Sequence, residues 1–594
     1  MKWNLDDILP VNKFDELYKE VEDEIKTLEK WVERAKPEMS QKEFGEMLLF
    51  DEELGIKMSK LGYLPHLMEA VDQKDRAAKL MKNRVEDLSL KITEVSRKLG
   101  FWIQGKREPV LDEKNAKRLF ATIPDLEYGL KRSREGAKFT LNEREEGIID
   151  HKDVNGVGVL GDLREMIETE FEYDIDLGSA KGGSASGGKI RYKHIKSQSE
   201  LLALVYSPKA KVREAAYKTL LKKQKDNLDK FFAIYQGIVK DWGYEAKLRG
   251  YSSPIGMRNW ANHVPDEAIE SLLEVCSKNV GIFQRYFKWK AKELGMKKLR
   301  RFDIYAPLQN KDTKMDFEEA KKIVLTALEE FSPNFSLKAK KIIEEKHIDV
   351  NPNKNKRGGA FCATVAPEIT PYVLLNFMGK SRDISTLAHE LGHGIHSLYA
   401  NKHHASSQQA NLPLAETAST LAELILFEKM MERETDNEVK KAWLSDKIAD
   451  AYATICRQNY FIKFEIKAHE AIDKGLTADD LSKLYFESLK EQFGKSLVID
   501  PLYKYEWSYI SHIFESPFYC YAYNFGELVS YALFAKYKKD PKKWVKIIEE
   551  ILESGGSQDP QIILQGAKID ICLPKFWEDS FSTIRDWQEK LEAL

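Results

Sequence analysis

The sequence predicts a mainly α-helical chain with one small β-sheet, and three observations carry that expectation. Apolar residues recur at three- and four-residue spacing along most of the 594 positions, the signature of helices with one buried face. Strand-like runs are few, at residues 301–308, 358–365 and 371–379, each rich in β-branched or aromatic residues. No repeat of 20 to 50 residues is present, which argues against a solenoid.

Taken in order, Phe14, Leu17, Val21, Ile25, Leu28 and Trp31 mark one helical face, and Ala77, Met81, Val85, Leu88, Ile92 and Leu99 mark another. Between Glu170 and His194 the period changes to two, with Phe171, Tyr173, Ile175 and Leu177 alternating ahead of "GSAKGGSASGGKIRY". That reads as a mobile hairpin near 171–192 with a Gly/Ser-rich turn. A phosphate loop is not expected there, because neither GxxxxGK[ST] nor GxGxxG fits the spacing. Ser207 and Pro208 offer an N-cap and a first-turn proline to a helix running through Phe231, Phe232 and Tyr235,. The expected organisation is an N-terminal helical lobe over 1–195, containing the hairpin, and a catalytic domain over 196–594; the length allows both.

Lysine plus arginine (93) nearly balance aspartate plus glutamate (95), for a formal charge of -2. Nothing in that balance suggests a nucleic-acid partner. No window holds the roughly 18 uninterrupted apolar residues of a bilayer span. The stretch "MKWNLDDILPVNKF" carries acids where an export signal needs a basic end and an apolar run, so a soluble cytoplasmic protein is expected. The five cysteines, Cys276, Cys362, Cys456, Cys520 and Cys572, are scattered with no CxxC pair, and read as reduced thiols in the core.

Five of the twelve histidines fall within sixteen residues, in "AHELGHGIHSLYANKHH". Ile384, Leu387, Ala388, Leu391, Ile395 and Leu398 keep a helical rhythm through this stretch, which puts His389 and His393 one turn apart on one face. Two imidazoles so placed can point at a single ion, and Glu390 between them can reach a water at an open position. This is the HExxH arrangement of zinc peptidases. The bland alternative, a partly buried histidine pair, accounts less well for the intervening glutamate. A catalytic zinc needs a third protein ligand, and "NLPLAETASTLAELILF" supplies Glu416, 27 residues after His389, on a helix opened by Pro413 and running to about Glu428. Glu423 lies seven residues further on nearly the same face, so one carboxylate could bind the metal and the other hold a ligand histidine. His396, His403 and His404 have nothing to position them on the ion. His469-Glu470 is followed by Asp473 rather than by a second histidine, and takes no role.

Together, "AHELGHGIHS", "LPLAETASTLAE" and "YVLLNFMG" resemble the oligoendopeptidase F branch of the thimet oligopeptidase-like zinc metallopeptidases. "KRGGAFCATV", "ICRQNYFIKFE" and "SHIFESPFYCYAY" look like further blocks of that family in the expected order, so the resemblance covers roughly residues 115 to 590. It implies a large, helical, ellipsoidal body of the zincin type, with a deep channel, one zinc ion (Zn2+) per chain on the channel floor and a small sheet beside the zinc helix. It also implies His389, His393 and Glu416 as metal ligands, Glu390 as general base, and Glu423 as a family glutamate behind the ligands. In "HIFESPFYCYAYNF" it implies His512, Tyr519 and Tyr523 as donors to the tetrahedral intermediate, with Tyr521 competing for the same alignment.

The expected function is a zinc-dependent endopeptidase that cuts short, flexible oligopeptides with a metal-activated water. A strand at 372–378 is the expected acceptor for an extended substrate. A peptidyl exopeptidase of the same class is the runner-up, and a non-catalytic helical peptide-binding scaffold comes from another class. Peptides are the expected partners, with no nucleic acid and no membrane. Monomer and homodimer both stay open.

Overall fold

A computed structural model describes residues 1–176, 192–308 and 314–594. The helical periods form helices where they are read. Phe14–Arg34 buries Phe14, Val21, Ile25, Leu28 and Val32, and Arg76–Ile103 buries Val85, Leu88, Val95 and Leu99. Among the described residues no helix is long and apolar enough to cross a membrane.

The chain divides into two compact units, each assembled from three separate segments. The first comprises Met1–Glu143, Asp312–Arg433 and Leu533–Asp570. Its long helix Gln41–Val71 starts at a capping box, in which Ser40 and Glu43 satisfy each other's backbone donors,. Its sheet has three strands, with Tyr372–Leu374 in the centre, parallel to Ile348–Asp349 and antiparallel to Phe361–Ala363. The central strand is buried along its whole length, as its unbroken apolar run requires. This corrects the expected acceptor strand at 372–378, because a strand paired on both sides has no edge to offer. The edge strands are Ile348–Asp349 and Phe361–Ala363, and of these Phe361–Ala363 packs against helix Ser381–Tyr399.

Helix Ser381–Tyr399 packs on this sheet, on Pro333–Glu344 and, most extensively, on Thr417–Arg433. It buries Ile384, Leu387, Ala388, Leu391, Ile395 and Leu398, the face its sequence rhythm marks. Gly392 sets the separation of the two helices. A Cβ there would lie 2.5 Å from Ser419 Cα and 2.7 Å from the Ala418 carbonyl oxygen.

The second unit comprises Arg144–Lys311, Glu434–Ala532 and Ile571–Leu594. The hairpin strands are Tyr173–Asp176 and Tyr192–Ile195, antiparallel, with Tyr173 opposite Ile195. The Gly/Ser-rich turn and Leu177 lie outside the described residues. The strand expected at 301–308 is not formed. A two-residue parallel pair, Leu299–Arg300 with Leu497–Val498, ends where a 3-10 turn begins at Arg301–Asp303. The turn lets charged neighbours on one segment both be buried and paired: Arg301 meets Glu506 at 2.7 Å, and Asp303 meets Arg213 at 2.7 Å and Arg300 at 2.6 Å. The helix expected from Ser207-Pro208 starts at Ala210 after an extended Lys209, breaks at Asn227 and resumes as Leu228–Arg249.

Gly392→Ala should cost about 1–3 kcal/mol of stability, since the added carbon meets backbone that cannot rotate away. Gly55→Ala, in helix Gln41–Val71 with nothing within 4 Å of the new Cβ, should instead stabilise by about 0.4–1 kcal/mol. Urea unfolding of the two variants should therefore give opposite signs.

Candidate active site

The helix Ser381–Tyr399 carries His389 and His393 on adjacent turns, and their Nε2 atoms face each other at 3.2 Å. Glu416 completes a triangle, with Oε2 3.4 Å from His389 Nε2 and 3.3 Å from His393 Nε2. A tetrahedral ion with ligands at about 2.0–2.1 Å separates its ligand atoms by about 3.3–3.4 Å. The three edges match that figure, and two imidazoles and a carboxylate are a donor set zinc accepts. Among the described residues, one other group, Asp153, Asp241 and Glu245, has comparable spacing. It is already neutralised in part by Lys152, which pairs with both aspartates.

Glu416 sits at a break between two helices. Pro413 opens a short turn, Leu412–Ala415, and the longer helix Thr417–Arg433 follows Glu416. The helix expected from Pro413 to about Glu428 is thus interrupted at the glutamate. The break leaves its carboxylate to be fixed by Ser419, whose hydroxyl donates to Oε2 at 2.8 Å and to the Glu416 carbonyl at 3.0 Å.

Glu423, two turns along, accepts from His389 Nδ1 at 2.7 Å and from the Ser385 hydroxyl at 3.0 Å. With its Nδ1 proton held there, His389 presents a bare Nε2 to an ion. Ser385 was not singled out from the sequence; its place one turn before His389 on the same face was the available signal. Burial opposes charge on His389, but the hydrogen bond and charge of Glu423, with the charges of Glu416 and Glu390, outweigh it and hold the imidazole up at about 9. Burial likewise disfavours the Glu416 carboxylate, yet His393 and His389, with Ser419, pull it down to about 2.

Glu390 follows His389 directly and is 7% exposed. Burial pushes its carboxyl up, against the pull of His389 and His393. With the two histidines it lines a cavity of about 450 Å³, so a water there has a carboxylate within reach of the ion position. His396, His403 and His404 lie outside the ligand triangle. His396 is buried and pushed down to about 4 by that burial, while His403 pairs with Asp125 at 2.5 Å and His404 with Glu52 at 2.6 Å.

The aromatic segment belongs to the second unit and is not one helix. His512 opens the short turn His512–Glu515, Phe518 takes a left-handed φ of 58°, and the helix begins at Tyr521, after Pro517 rather than at it. The break still gathers His512, Tyr519 and Tyr523. His512 Nε2 lies 3.1 Å from the Tyr523 hydroxyl, and the Tyr519 ring stands edge-on to Tyr523 with centroids 5.3 Å apart. Burial lowers the His512 pKa, with Glu515 opposing. Tyr521 points elsewhere: it is fully buried, and its hydroxyl accepts from Asn262 at 2.7 Å. The strained turn is clamped by residues not singled out from the sequence. Glu465 accepts from the Phe518 amide at 3.0 Å, and Arg258 donates to the Pro517 carbonyl at 2.9 Å and to the Ser516 hydroxyl at 2.8 Å. His469, which has no role in the ligand set, stacks its ring 4.4 Å from that of Phe518.

Comparison with known proteins agrees with this geometry. The family described as Peptidase family M3 matches residues 203–583, well over half of the chain. Oligopeptidase PepF of Bacillus subtilis (strain 168) is 24% identical over 601 residues, covering 100% of this chain and 87% of its own. An oligoendopeptidase F homolog of Lactococcus lactis subsp. lactis (strain IL1403) is 28% identical over 459 residues, 75% of this chain and 74% of its own. The crystal structure of oligoendopeptidase-F from Enterococcus faecium superposes with a TM-score of 0.70 at 22% identity, over 98% of both chains, which shows the shared, mainly helical fold.

Glu423→Gln keeps a hydrogen-bond acceptor for His389 but removes its charge. Zinc affinity should fall by roughly 10- to 100-fold, measured by competition with a chromogenic chelator. Unchanged affinity would mean that Glu423 does not tune the ligand.

Proposed function

This chain belongs to peptidase family M3 and is a metalloendopeptidase; from that premise we propose that it hydrolyses short oligopeptides with one zinc ion held by His389, His393 and Glu416. The observation that carries the assignment is the ligand triangle with edges of 3.2, 3.3 and 3.4 Å, beside a buried glutamate facing the same cavity. When bound, zinc supplies Lewis acidity toward water and the scissile carbonyl.

The residues do the rest. Glu390 takes a proton from the attacking water as the new C–O bond forms, and gives it to the departing amine nitrogen as the C–N bond breaks. A carboxylate whose basicity burial has raised suits both halves of that transfer. Glu423 and Ser385 hold His389 in the orientation that leaves Nε2 unprotonated. To His512, Tyr519 and Tyr523 we assign donation to the oxyanion; in support, these three gather partly exposed polar atoms, whereas Tyr521 is spent on Asn262. An extended peptide can add to the open edge of Phe361–Ala363, next to the metal helix, through main-chain hydrogen bonds. The names of the PepF and oligoendopeptidase F relatives support oligopeptides as the substrates, and a cytoplasmic setting fits that reading.

Mass spectrometry of a mixed peptide pool, with and without a chelator, tests the function directly: internal cleavage that stops on metal removal is expected. Glu390→Gln should retain zinc while kcat falls roughly 10²- to 10⁴-fold, whereas Glu416→Ala should lose zinc as well. Equal metal loss in both variants would overturn the division between base and ligand.

Tyr519→Phe and Tyr521→Phe should separate chemistry from packing. The first should lower kcat by roughly 10²- to 10³-fold with little change in melting temperature. The second should spare kcat and cost about 1–3 kcal/mol of stability, because it strands the buried Asn262 amide. Steady-state kinetics beside thermal melts would expose a reversed assignment.

A further inference from the structure

The cavity beside the histidine pair has a second wall that the hydrolytic chemistry does not use. It is formed by Tyr63, Phe361, Cys362, Thr364, Ser397 and Gln408, opposite His389, Glu390 and His393. We infer that this cavity is the side-chain subsite flanking the scissile bond, that it selects a bulky uncharged residue, and that Tyr63 is its specificity-determining residue. The inference rests on the peptidase reading above and names the substrate class for it.

Size alone selects little, since about 450 Å³ lies within the range of built ligand pockets, about 300–1,000 Å³. Charge and hydrogen bonding select more. No residue of the second wall is an acid, a lysine or an arginine. A charged substrate side chain packed on that wall would lose its water and gain no counter-ion from it. Its polar groups are largely engaged with one another. The hydroxyls of Thr364 and Ser397 lie 2.6 Å apart, Ser397 donates to the His393 carbonyl at 3.2 Å, and the Gln408 amide donates to the Ser397 carbonyl at 3.3 Å. A polar substrate group would therefore have to break bonds already made, while an apolar one gains burial at about 25 cal/mol per Å².

Tyr63 is held for this task by an element remote in sequence. It projects from helix Gln41–Val71, and Ser59, one turn earlier, donates to the Val365 carbonyl at 2.5 Å, tying the helix to the chain just beyond strand Phe361–Ala363. His66 stands edge-on to Tyr63 at 6.3 Å and packs against Phe361 at 6.0 Å, and Trp3 packs on Phe361 from another side at 6.4 Å. The aromatic wall is thus fixed before a peptide arrives, and such fixed walls discriminate side chains with little ordering cost.

The test compares the zinc-loaded wild type with Tyr63→Asp and Gln409→Glu on a peptide pool in which one position near the cut carries Phe, Leu, Lys or Glu. Gln409 also lines the cavity and is exposed, so its variant introduces a charge without disturbing the core. Wild type should favour Phe or Leu over Lys and Glu by about tenfold or more in kcat/KM at one flanking position. Both variants should raise the Lys-to-Phe ratio at that same position by about tenfold, with zinc content retained. Metal-dependent cleavage with an unchanged ratio in both variants overturns the subsite assignment and leaves the peptidase reading standing. No metal-dependent cleavage of any peptide by wild type overturns the peptidase reading, and this inference with it.

Discussion

Between Gly392 and the backbone of Ala418 and Ser419 there is no room for one more carbon atom, and the geometry of the cluster of His389, His393 and Glu416 depends on that contact. Two helices that touch at backbone distance bring side chains one turn to either side of the contact face to face. His389 and His393 flank Gly392 on one helix; Glu416, just before the second helix, and Glu423, within it, flank the contact on the other side. Small residues on the second helix, Ala418, Ser419 and Ala422, are buried there, as close approach demands. The sequence "HELGH" is therefore two statements in one: two histidines a turn apart with a glutamate between them, and a glycine that admits the chain bearing Glu416.

The electrostatics follow from the same contact. Three carboxylates, Glu390, Glu416 and Glu423, surround two imidazoles in a partly buried space. Against the cost of burial, the Glu423 hydrogen bond and the carboxylate charges hold His389 up at about 9, while the two imidazoles and Ser419 draw Glu416 down to about 2. A divalent ion at the centre of the triangle would displace the extra proton and release His389 to be neutral. The division of labour among the glutamates is geometric. Glu416, at a helix break, has its Oε2 held by Ser419 toward the Nε2 atoms of His389 and His393, and Glu423, inside a regular helix, meets the Nδ1 side of His389 instead.

Much of this was legible from one line of sequence because it depends on helical spacing. Residues four apart share a face, which placed His389 and His393, and residues seven apart nearly do, which placed Glu416 and Glu423. The same rule reaches its limit at the aromatic segment. Spacings of seven and four would share a face only in a continuous helix, and Pro517 already offered a break after His512; Phe518 in a left-handed conformation breaks the chain there, and nothing in the local sequence announces a positive φ at phenylalanine. The missed 3-10 turn at Arg301–Asp303 has a similar origin: partners at Glu506 and Arg213 decide it, and they lie far away in sequence. Strand Tyr372–Leu374 was found from its apolar run, but its neighbours, and so its lack of a free edge, were set by pairing that no local pattern encodes. Nor does a local pattern reveal that each compact unit is woven from three distant segments.

That interleaving explains why the first hundred residues were hard to read for function and yet contribute to the site. A helix such as Gln41–Val71 shows only amphipathic periodicity and a capping box in its own sequence. Tyr63 acquires meaning through the Ser59 bond to Val365 and through the stack of His66 on Phe361, both of which depend on a strand some three hundred residues later. In the proposed reaction His389, Glu390 and His393 need fixed positions within about one turn of a helix, so local spacing encodes them. Substrate discrimination needs a wall opposite them, and a wall can come from any segment the fold delivers. Chemistry in this chain is consequently written locally, in "HELGH", while selectivity is written in tertiary contacts, and a change at Tyr63 can alter what is cut without touching how it is cut.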